Sequence, residues 1–410
     1  MVRNSSFESD REPFRDDDAL QLQKSRVTGP FKSLHPTQAR YHVQAGPESD
    51  DVESQSKRHS NIAFKWSSRD NRKGRHTLVV QPAHPDAPLA YQTPASTTSP
   101  QRISKTVLKM FVYYPVWDIS WWVAYIFTWG SIVWVINAFF SFLPFIAPST
   151  TFNNEVLYGG GITAFIGATI FEIGSVLLMF EAVNESRTSC FGWAVESLLH
   201  PSAEKSHHRT AFAIRPAKDK CLHHHANKQN FVGKPQSSAL ENSKDHAGPN
   251  RSWTWFPSWT EIRTHYVHEL GFLACFSQLL GASIFWIAGF TALPGINNKL
   301  SPAALDGAYW FPQVLGGCGF IVSGTLFMLE TQKRWYLPAW RTLGWHIGLW
   351  NLIGGVGFTI CPAFGFDTEH WAQYQASCST FWGSWAFLIG SAIQLYESLE
   401  KNPVEVEKGS

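Results

Sequence analysis

The chain has 410 residues, with 34 Lys and Arg against 32 Asp and Glu, and only six Cys. The balanced charge argues against a nucleic-acid-binding protein, and the few cysteines argue against a disulfide scaffold. Mean hydropathy is −0.15, yet charged residues are only 16% and there are 19 Trp and 30 Phe. A polar part and a very apolar part therefore alternate along the chain.

The first part, residues 1–105, is polar, rich in Ser and Pro, and shows no helical period. Because so few apolar side chains cannot offset the entropy of ordering, we predict a disordered cytosolic tail. It contains no apolar run typical of a secretory signal, so we expect none to be cleaved. A second polar segment, residues 182–252, is predicted to be a largely disordered cytosolic loop. Both segments are candidate surfaces for cytosolic protein partners.

Six apolar runs follow the tail, each near the 20 residues that cross a bilayer. Because they are apolar all round, they favour membrane-spanning helices over the buried helices of a soluble domain. We predict an all-α integral membrane protein with three hairpins, residues 106–181, 253–334 and 335–400, and a cytosolic C-terminal tail, residues 401–410. The runs are 119–143, 159–180, 270–291, 310–329, 343–361 and 377–396.

The distribution of Lys and Arg between the runs predicts the orientation. Arg102, Lys105 and Lys109 precede the first run, and the segments after the second and fourth runs are also basic. The loops after the first and fifth runs have no Lys or Arg, and the loop after the third has only Lys299. By the positive-inside rule, both termini face the cytosol. A run length near 20 residues fits several cellular membranes.

The apolar runs contain an internal triplication. In the even-numbered runs a Gly is followed four residues later by Phe and ten residues further on by Glu: Gly167–Phe171–Glu181, Gly316–Phe320–Glu330 and Gly383–Phe387–Glu397. In the odd-numbered runs a small residue precedes a Gly by ten and an aromatic by fourteen: Ser120–Gly130–Trp134, Gly271–Gly281–Phe285 and Gly344–Gly354–Phe358. We therefore predict three parallel repeats of a two-helix hairpin, with the small residues allowing close helix packing.

The repeated acids are the first candidate polar or ion site. Glu181, Glu330 and Glu397 each close a helix at its C-terminus, where the macrodipole disfavours a carboxylate by up to about 1 kcal/mol. One interpretation is an interfacial charge that marks the end of a span. The other is a ring of three carboxylates that binds a cation or latches to basic loop residues of the next repeat.

Glu172 is the second candidate, because it lies about 13 Å of helix before Glu181 and thus near the middle of the bilayer. An acid at that depth indicates an ion path, a proton site or a buried pair. No Lys or Arg lies at that depth in any run. We expect Glu172 to be protonated or to contact a neutral polar side chain such as Asn137, Gln278 or Asn351.

Other chemistry-bearing residues give weaker signals. Cys361 and Cys378 bracket the fifth loop, so a disulfide between them is a candidate. His265, His268 and Glu269 lie close together, but their order is not the HExxH of a zinc protease, and we predict no metal site. The sequence also shows no set of nucleophile, base and orienting residue, so we predict neither an enzyme nor a cofactor.

Two short motifs carry a resemblance. Leu270-Gly271-Phe272 and the run from Phe387 to Ser391 resemble segments of uncharacterised multi-pass integral membrane proteins of filamentous fungi. The second of these, with Phe320 to Gly324, is also similar to the second helix of small YrhK-type membrane domains. Neither resemblance implies a known activity.

Two function classes follow from the sequence. The first is a non-enzymatic membrane protein with a structural, sensing or partner-recruiting role, whose only certain partner is the lipid bilayer. The alternative is a small-solute or ion transporter or channel that uses Glu172 and the set Glu181, Glu330 and Glu397. A water-filled path to Glu172 would favour transport, and a dry centre would favour the first class.

Overall fold

A computed structural model describes residues 20–43, 62–80, 96–185, 187–192, 194–195 and 253–406. The strands are β1 (Leu20–Leu22), β2 (Gln38–Val43), β3 (Ile62–Ser67), β4 (Thr77–Val80) and β5 (Val404–Val406). The helices are α1 (Ser68–Arg72), α2 (Pro100–Val112), α3 (Ile119–Ile146), α4 (Gly161–Val183), α5 (Trp259–Thr264), α6 (Leu270–Thr291), α7 (Pro302–Leu305), α8 (Phe311–Glu330), α9 (Leu343–Gly365) and α10 (His370–Leu399). Wider π turns, Val156–Gly160 and Asp306–Trp310, lead into α4 and α8.

The six long helices form a closed ring. Each of α3, α4, α6, α8, α9 and α10 packs against the next in chain order, and α10 returns to pack against α3. Five stretches of the described chain are long and apolar enough to cross a membrane: Ile119–Ile146, Val156–Val183, Leu270–Thr291, Pro302–Glu330 and Leu343–Gly365. The sixth member of the ring, α10, is 30 residues long but more polar. The prediction of a helical membrane protein is therefore confirmed in its coarse form.

Aromatic side chains fill the axis of the ring. Trp134 lies 5.7 Å from Phe285 and 4.9 Å from Phe358, measured between ring centroids. Phe387 lies 5.5 Å from Phe171 and 5.9 Å from Phe320. These six residues, one from each helix, are the aromatics of the repeated pattern, and all are buried. Edge-to-face packing of this kind adds to the gain from burial and leaves little free volume.

Glycines let the ring close tightly around these aromatics. A Cβ atom on Gly316 would lie 2.7 Å from the carbonyl oxygen of Gly281, and one on Gly357 would lie 2.8 Å from the Cα of Gly383. Neighbouring backbones thus approach each other directly at these points, which is how helices associate where lipid supplies no hydrophobic drive.

A small domain built from the N-terminal part of the chain covers one end of the ring, called here the charged end. Its sheet has the order β1-β2-β3-β4-β5, with antiparallel pairs except for the parallel pair β4 and β5. Ala39, Tyr41 and Trp66 form its core. Gln38 Nε2 donates 2.7 Å to the carbonyl oxygen of Thr331, and the backbone N–H of His35 donates 2.9 Å to that of His268.

These strands correct three sequence predictions. The fold was expected to be all-α, and the five-stranded sheet shows that it is not. Residues 1–105 were expected to be disordered throughout, and the expectation is wrong for 20–43, 62–80 and 96–105. Residues 401–410 were expected to be a tail, but β5 pairs with β4 through Leu78 and Val404. The reason is that this domain has a small core of its own and is completed by strands and helix ends from distant parts of the chain. Most of the polar segment 182–252, namely 196–252, lies outside the described residues.

An apolar collar surrounds the charged end. Helix α2 presents Leu108 and Phe111 outward, the latter 69% exposed, while its Arg102 and Thr106 bind Glu400. The aromatic residues beside the prolines that precede α3, α6 and α9 are also exposed: Tyr114, Phe256, Trp259, Tyr336 and Trp340. Amphipathic and aromatic side chains in such a band are typical of the membrane–water interface.

Candidate functional site

The candidate site is the contact between α1 and the charged end of the ring. Helix α1 begins where β3 ends, because Ser67 accepts a hydrogen bond from the N–H of Asp70 at 3.0 Å and caps it. It ends at Gly74, whose φ of +58° lies in the left-handed region that favours glycine. A Cβ on Gly74 would also collide with Thr188 Oγ1. This tight turn presents Arg69, Arg72 and Lys73 to the ring.

The three repeated glutamates are the partners of these basic residues. Arg72 binds two of them, with Nη1 2.5 Å from Glu181 Oε1 and Nη2 2.9 Å from Glu330 Oε2. Arg69 binds Glu397 in a bidentate manner, with Nη2–Oε2 at 2.6 Å and Nε–Oε1 at 3.1 Å. One short helix thus joins the last turns of α4, α8 and α10, the second helix of every hairpin.

A fourth basic residue strengthens this contact. Arg75 Nη1 lies 2.9 Å from Glu397 Oε1 and 3.0 Å from Asp70 Oδ1, and its Nε donates to the carbonyl oxygen of Glu400. We call the set Arg69, Arg72, Lys73, Arg75, Glu181, Glu330 and Glu397 the arginine lock. The three glutamates are at most 1% exposed, so the loss of either partner leaves a buried, uncompensated charge.

The small residues at the start of α3, α6 and α9 make room for the lock. A Cβ on Gly344 would lie 2.5 Å from Arg69 Nε, and one on Gly271 would lie 2.4 Å from Glu330 Oε1 and 3.0 Å from Arg72 Nε. Two members of the repeated set Ser120, Gly271 and Gly344 are therefore small because guanidinium and carboxylate groups pass beside them.

Lys73 lies at the centre of the lock and is 1% exposed. Its Nζ is 3.8 Å from Glu181 Oε1 and 3.9 Å from Glu397 Oε2, and no described residue forms a hydrogen bond with it. Burial lowers the pKa of Lys73 from 10.5 to about 8, against the opposing attraction of Glu181. The ammonium group is thus paired by charge but incompletely solvated.

Below the lock, on the axis of the ring, lies a small cavity of about 30 Å³ with both polar and apolar lining residues. Such a volume holds about two water molecules. It extends to the aromatic layer at Phe171 and Phe387, and the polar side chains that line it are Lys73, Arg69, Arg72, Ser131, Gln278, Asn351, Ser391 and Gln394. Water there could complete the hydrogen bonding of Lys73, while the aromatic layer closes the far side.

Glu172 does not line this cavity. It is half-buried in the seam between α4 and α6, where Ser283 Oγ donates to its Oε1 at 2.9 Å. Its partner is therefore a neutral polar side chain, but it is Ser283 and not one of the three amides Asn137, Gln278 and Asn351. Asn137 instead donates to Gly160 and Thr163, and the other two amides line the cavity.

Two further predictions are corrected by the structure. Cys361 and Cys378 are both free thiols, because each lies within a helix and not in the loop. Cys361 is about 6 Å and Cys378 about 12 Å of helix from the loop, an axial offset that a disulfide tolerates poorly.

The repeated glutamates latch to basic residues, as one interpretation held, but these come from the N-terminal domain and not from the loops of the next repeat.

Comparison with known protein families, with curated proteins and with solved structures found no match to this chain. The functional conclusion therefore rests on the residues of the chain itself.

Proposed function

We propose that this protein is a non-enzymatic, six-span integral membrane protein whose N-terminal domain locks three helical hairpins into one rigid ring. The observation that carries the proposal is the arginine lock, in which one helix binds a buried glutamate from every hairpin. Such a protein serves a structural, sensing or partner-recruiting role, because release or retention of the N-terminal domain changes what the charged end presents to other proteins.

Three features support six spans with both chain ends on one side. Helix α10 occupies a full place in the ring, between α9 and α3. Strand β4 precedes the first long helix and β5 follows the last, yet the two strands pair. A chain that returns to the same face must cross the bilayer an even number of times. The positive-inside pattern then favours the cytosol as that side.

The contacts also support the threefold repeat. The aromatic residues matched in sequence meet at the axis, and the matched glutamates meet at the lock. Each hairpin therefore contributes equivalent positions to the same two layers, as parallel repeats do around an axis along the membrane normal.

Transport remains the second candidate because of the cavity beneath Lys73. Three observations count against it. Glu172 lies in a helix seam away from the cavity, and the glutamates that a cation would need are already bound by arginines. The aromatic layer also closes the axis on the far side of the cavity.

A liposome assay separates the two functions. Purified full-length protein and the variants Arg72→Gln and Glu172→Gln are reconstituted, and fluxes of K⁺, Cl⁻ and protons are compared with protein-free liposomes. We expect all three proteins to stay at background, because removing the lock leaves the aromatic layer in place. Flux in wild type or Arg72→Gln that Glu172→Gln abolishes would establish the transporter and overturn our proposal.

A further inference from the structure

A second cluster of polar side chains lies beside the lock, where the end of α4 meets the start of α6. Glu185, His265 and Glu269 each direct one ligand-type atom into a common space, and these atoms lie within 4.8 Å of one another. His265 Nε2 is 3.4 Å from Glu269 Oε1. All three residues are half-buried, so the cluster is a partly dehydrated pocket and not an exposed acidic surface.

Two more histidines surround this cluster. His35, from the N-terminal domain, is 6% exposed, and its ring centroid lies 5.5 Å from that of His265 and 5.7 Å from that of His268. The Nδ1 atom of His268 is buried and forms no hydrogen bond with any described residue. The His35 and His268 rings thus place two further imidazole groups beside the cluster.

The combination of imidazole and carboxylate groups selects a class of metal. Ca²⁺ and Mg²⁺ prefer oxygen ligands alone, whereas Zn²⁺ and neighbouring first-row divalent ions accept imidazole nitrogen together with carboxylate oxygen. A divalent ion would also relieve the repulsion between the Glu185 and Glu269 carboxylates. The ligand atoms need to move by only about 1–2 Å to reach the spacing of a tetrahedral zinc site, where metal–ligand distances are roughly 2.0–2.2 Å.

We propose that Glu185, His265 and Glu269 bind a divalent transition metal ion of the Zn²⁺ class, and that His35, whose ring centroid lies 5.5 Å from that of His265, moves in as the fourth ligand. The site would join three distant parts of the chain: the N-terminal domain, the residues after α4 and the start of α6. Asn71, which neighbours Arg72 of the lock, donates 2.8 Å to Glu185 Oε2 and orients that carboxylate. The metal thus acts as a second clamp that holds the N-terminal domain on the ring.

The sequence analysis predicted no metal site, and the reason is now visible. The prediction depended on the order of His265, His268 and Glu269, which are close together in the sequence. Glu185 comes from 80 residues earlier in the chain and His35 from a segment that was expected to be disordered.

The test uses full-length protein in detergent, stripped with a chelator and then titrated with Zn²⁺, with Co²⁺ as a spectroscopic probe. Wild type is compared with His265→Gln, Glu269→Gln and His35→Gln. The matched control is His370→Gln, a histidine at the start of α10 outside the cluster. Bound metal is measured by elemental analysis after gel filtration, and the thermal midpoint is measured with and without the ion.

We expect one Zn²⁺ per chain, a tetrahedral Co²⁺ spectrum and a raised thermal midpoint for wild type and His370→Gln. His265→Gln and Glu269→Gln should weaken binding by about 100-fold or more, since even outer-shell changes cost 10–100-fold. Substoichiometric metal in wild type, or equal affinity in His265→Gln and His370→Gln, would overturn the proposal. Because metal content is read directly, a variant with a lower midpoint still gives a decisive answer.

Discussion

Lys73 carries its ammonium group into the narrow space between Glu181 and Glu397, beneath Arg69 and Arg72. Three arginines already face the three repeated glutamates there, so the lysine charge is surplus within the lock. Burial without a hydrogen-bond partner makes that charge expensive, and the lowered pKa of about 8 expresses the cost. Loss of the Lys73 proton at higher pH therefore removes a free-energy cost from the folded state.

The stability of the protein should therefore rise with pH through the titration of Lys73. Between pH 8 and 10.5 the unfolded chain keeps the lysine proton while the folded chain has lost it, so the free energy of unfolding increases by roughly 3 kcal/mol over that window. Unfolding free energies measured from pH 7 to 10.5 should show this rise in wild type. Lys73→Met should lack it and be more stable than wild type at pH 7.

Lys105→Met, at an exposed lysine on α2, is the control and should keep the wild-type slope. The same pH slope in wild type and Lys73→Met would show that Lys73 does not titrate in this window.

At the scale of elements, β5 decides whether the two ends of the chain act as one unit. The strand pairs in parallel with β4, and Val404 packs with Leu78 and Val80 at 2% exposure. Nearby, Lys401 Nζ contacts Asp118 Oδ2 at 2.7 Å and donates to the carbonyl oxygen of Lys73. The end of the chain therefore braces the turn that presents the lock.

An acidic substitution in β5 should lower stability strongly at a buried position and only weakly at an exposed one. Val404→Asp buries an unpaired carboxylate and should lower the free energy of unfolding by about 2–4 kcal/mol. Val406→Asp makes the same change two residues later at a side chain that is 44% exposed, and should cost less than about 0.5 kcal/mol. Thermal unfolding in detergent measures both. Equal effects of the two substitutions would mean that β5 does not pack against β4.

At the scale of the whole molecule, the ring was largely predictable and the domain that covers it was not. Uniformly apolar runs such as 270–291 predict helices of the right bounds without tertiary information, because lipid demands internal backbone pairing. The repeated Phe and Trp positions predicted equivalent packing, since the same spacing recurs in each hairpin. For the repeated glutamates at helix C-termini the sequence left two interpretations open, an interfacial charge and a contact with a cation or basic residues.

The source of those cations could not be read from local sequence. Arg72 is 109 residues from Glu181, and Arg69 is 328 residues from Glu397. Their segment has only a small core of its own, and its basic side chains serve the ring, so its composition looks like that of disorder. The partner of Glu172 could not be named from the sequence for a related reason: which side chain its helix face meets depends on the packing of the ring.

The most direct test of the central claim is a double-mutant cycle across the lock, measured as free energies of unfolding in detergent. Arg69→Met removes the bidentate partner of Glu397, and Glu397→Met leaves the four basic residues of the lock facing two glutamates, so each should cost about 3–5 kcal/mol. The double variant should cost about 2–3 kcal/mol less than the sum of the two. The exposed pair Lys65 and Glu405, 2.8 Å apart, is the control and should couple by less than about 1 kcal/mol. Additive effects of Arg69→Met and Glu397→Met would contradict the lock.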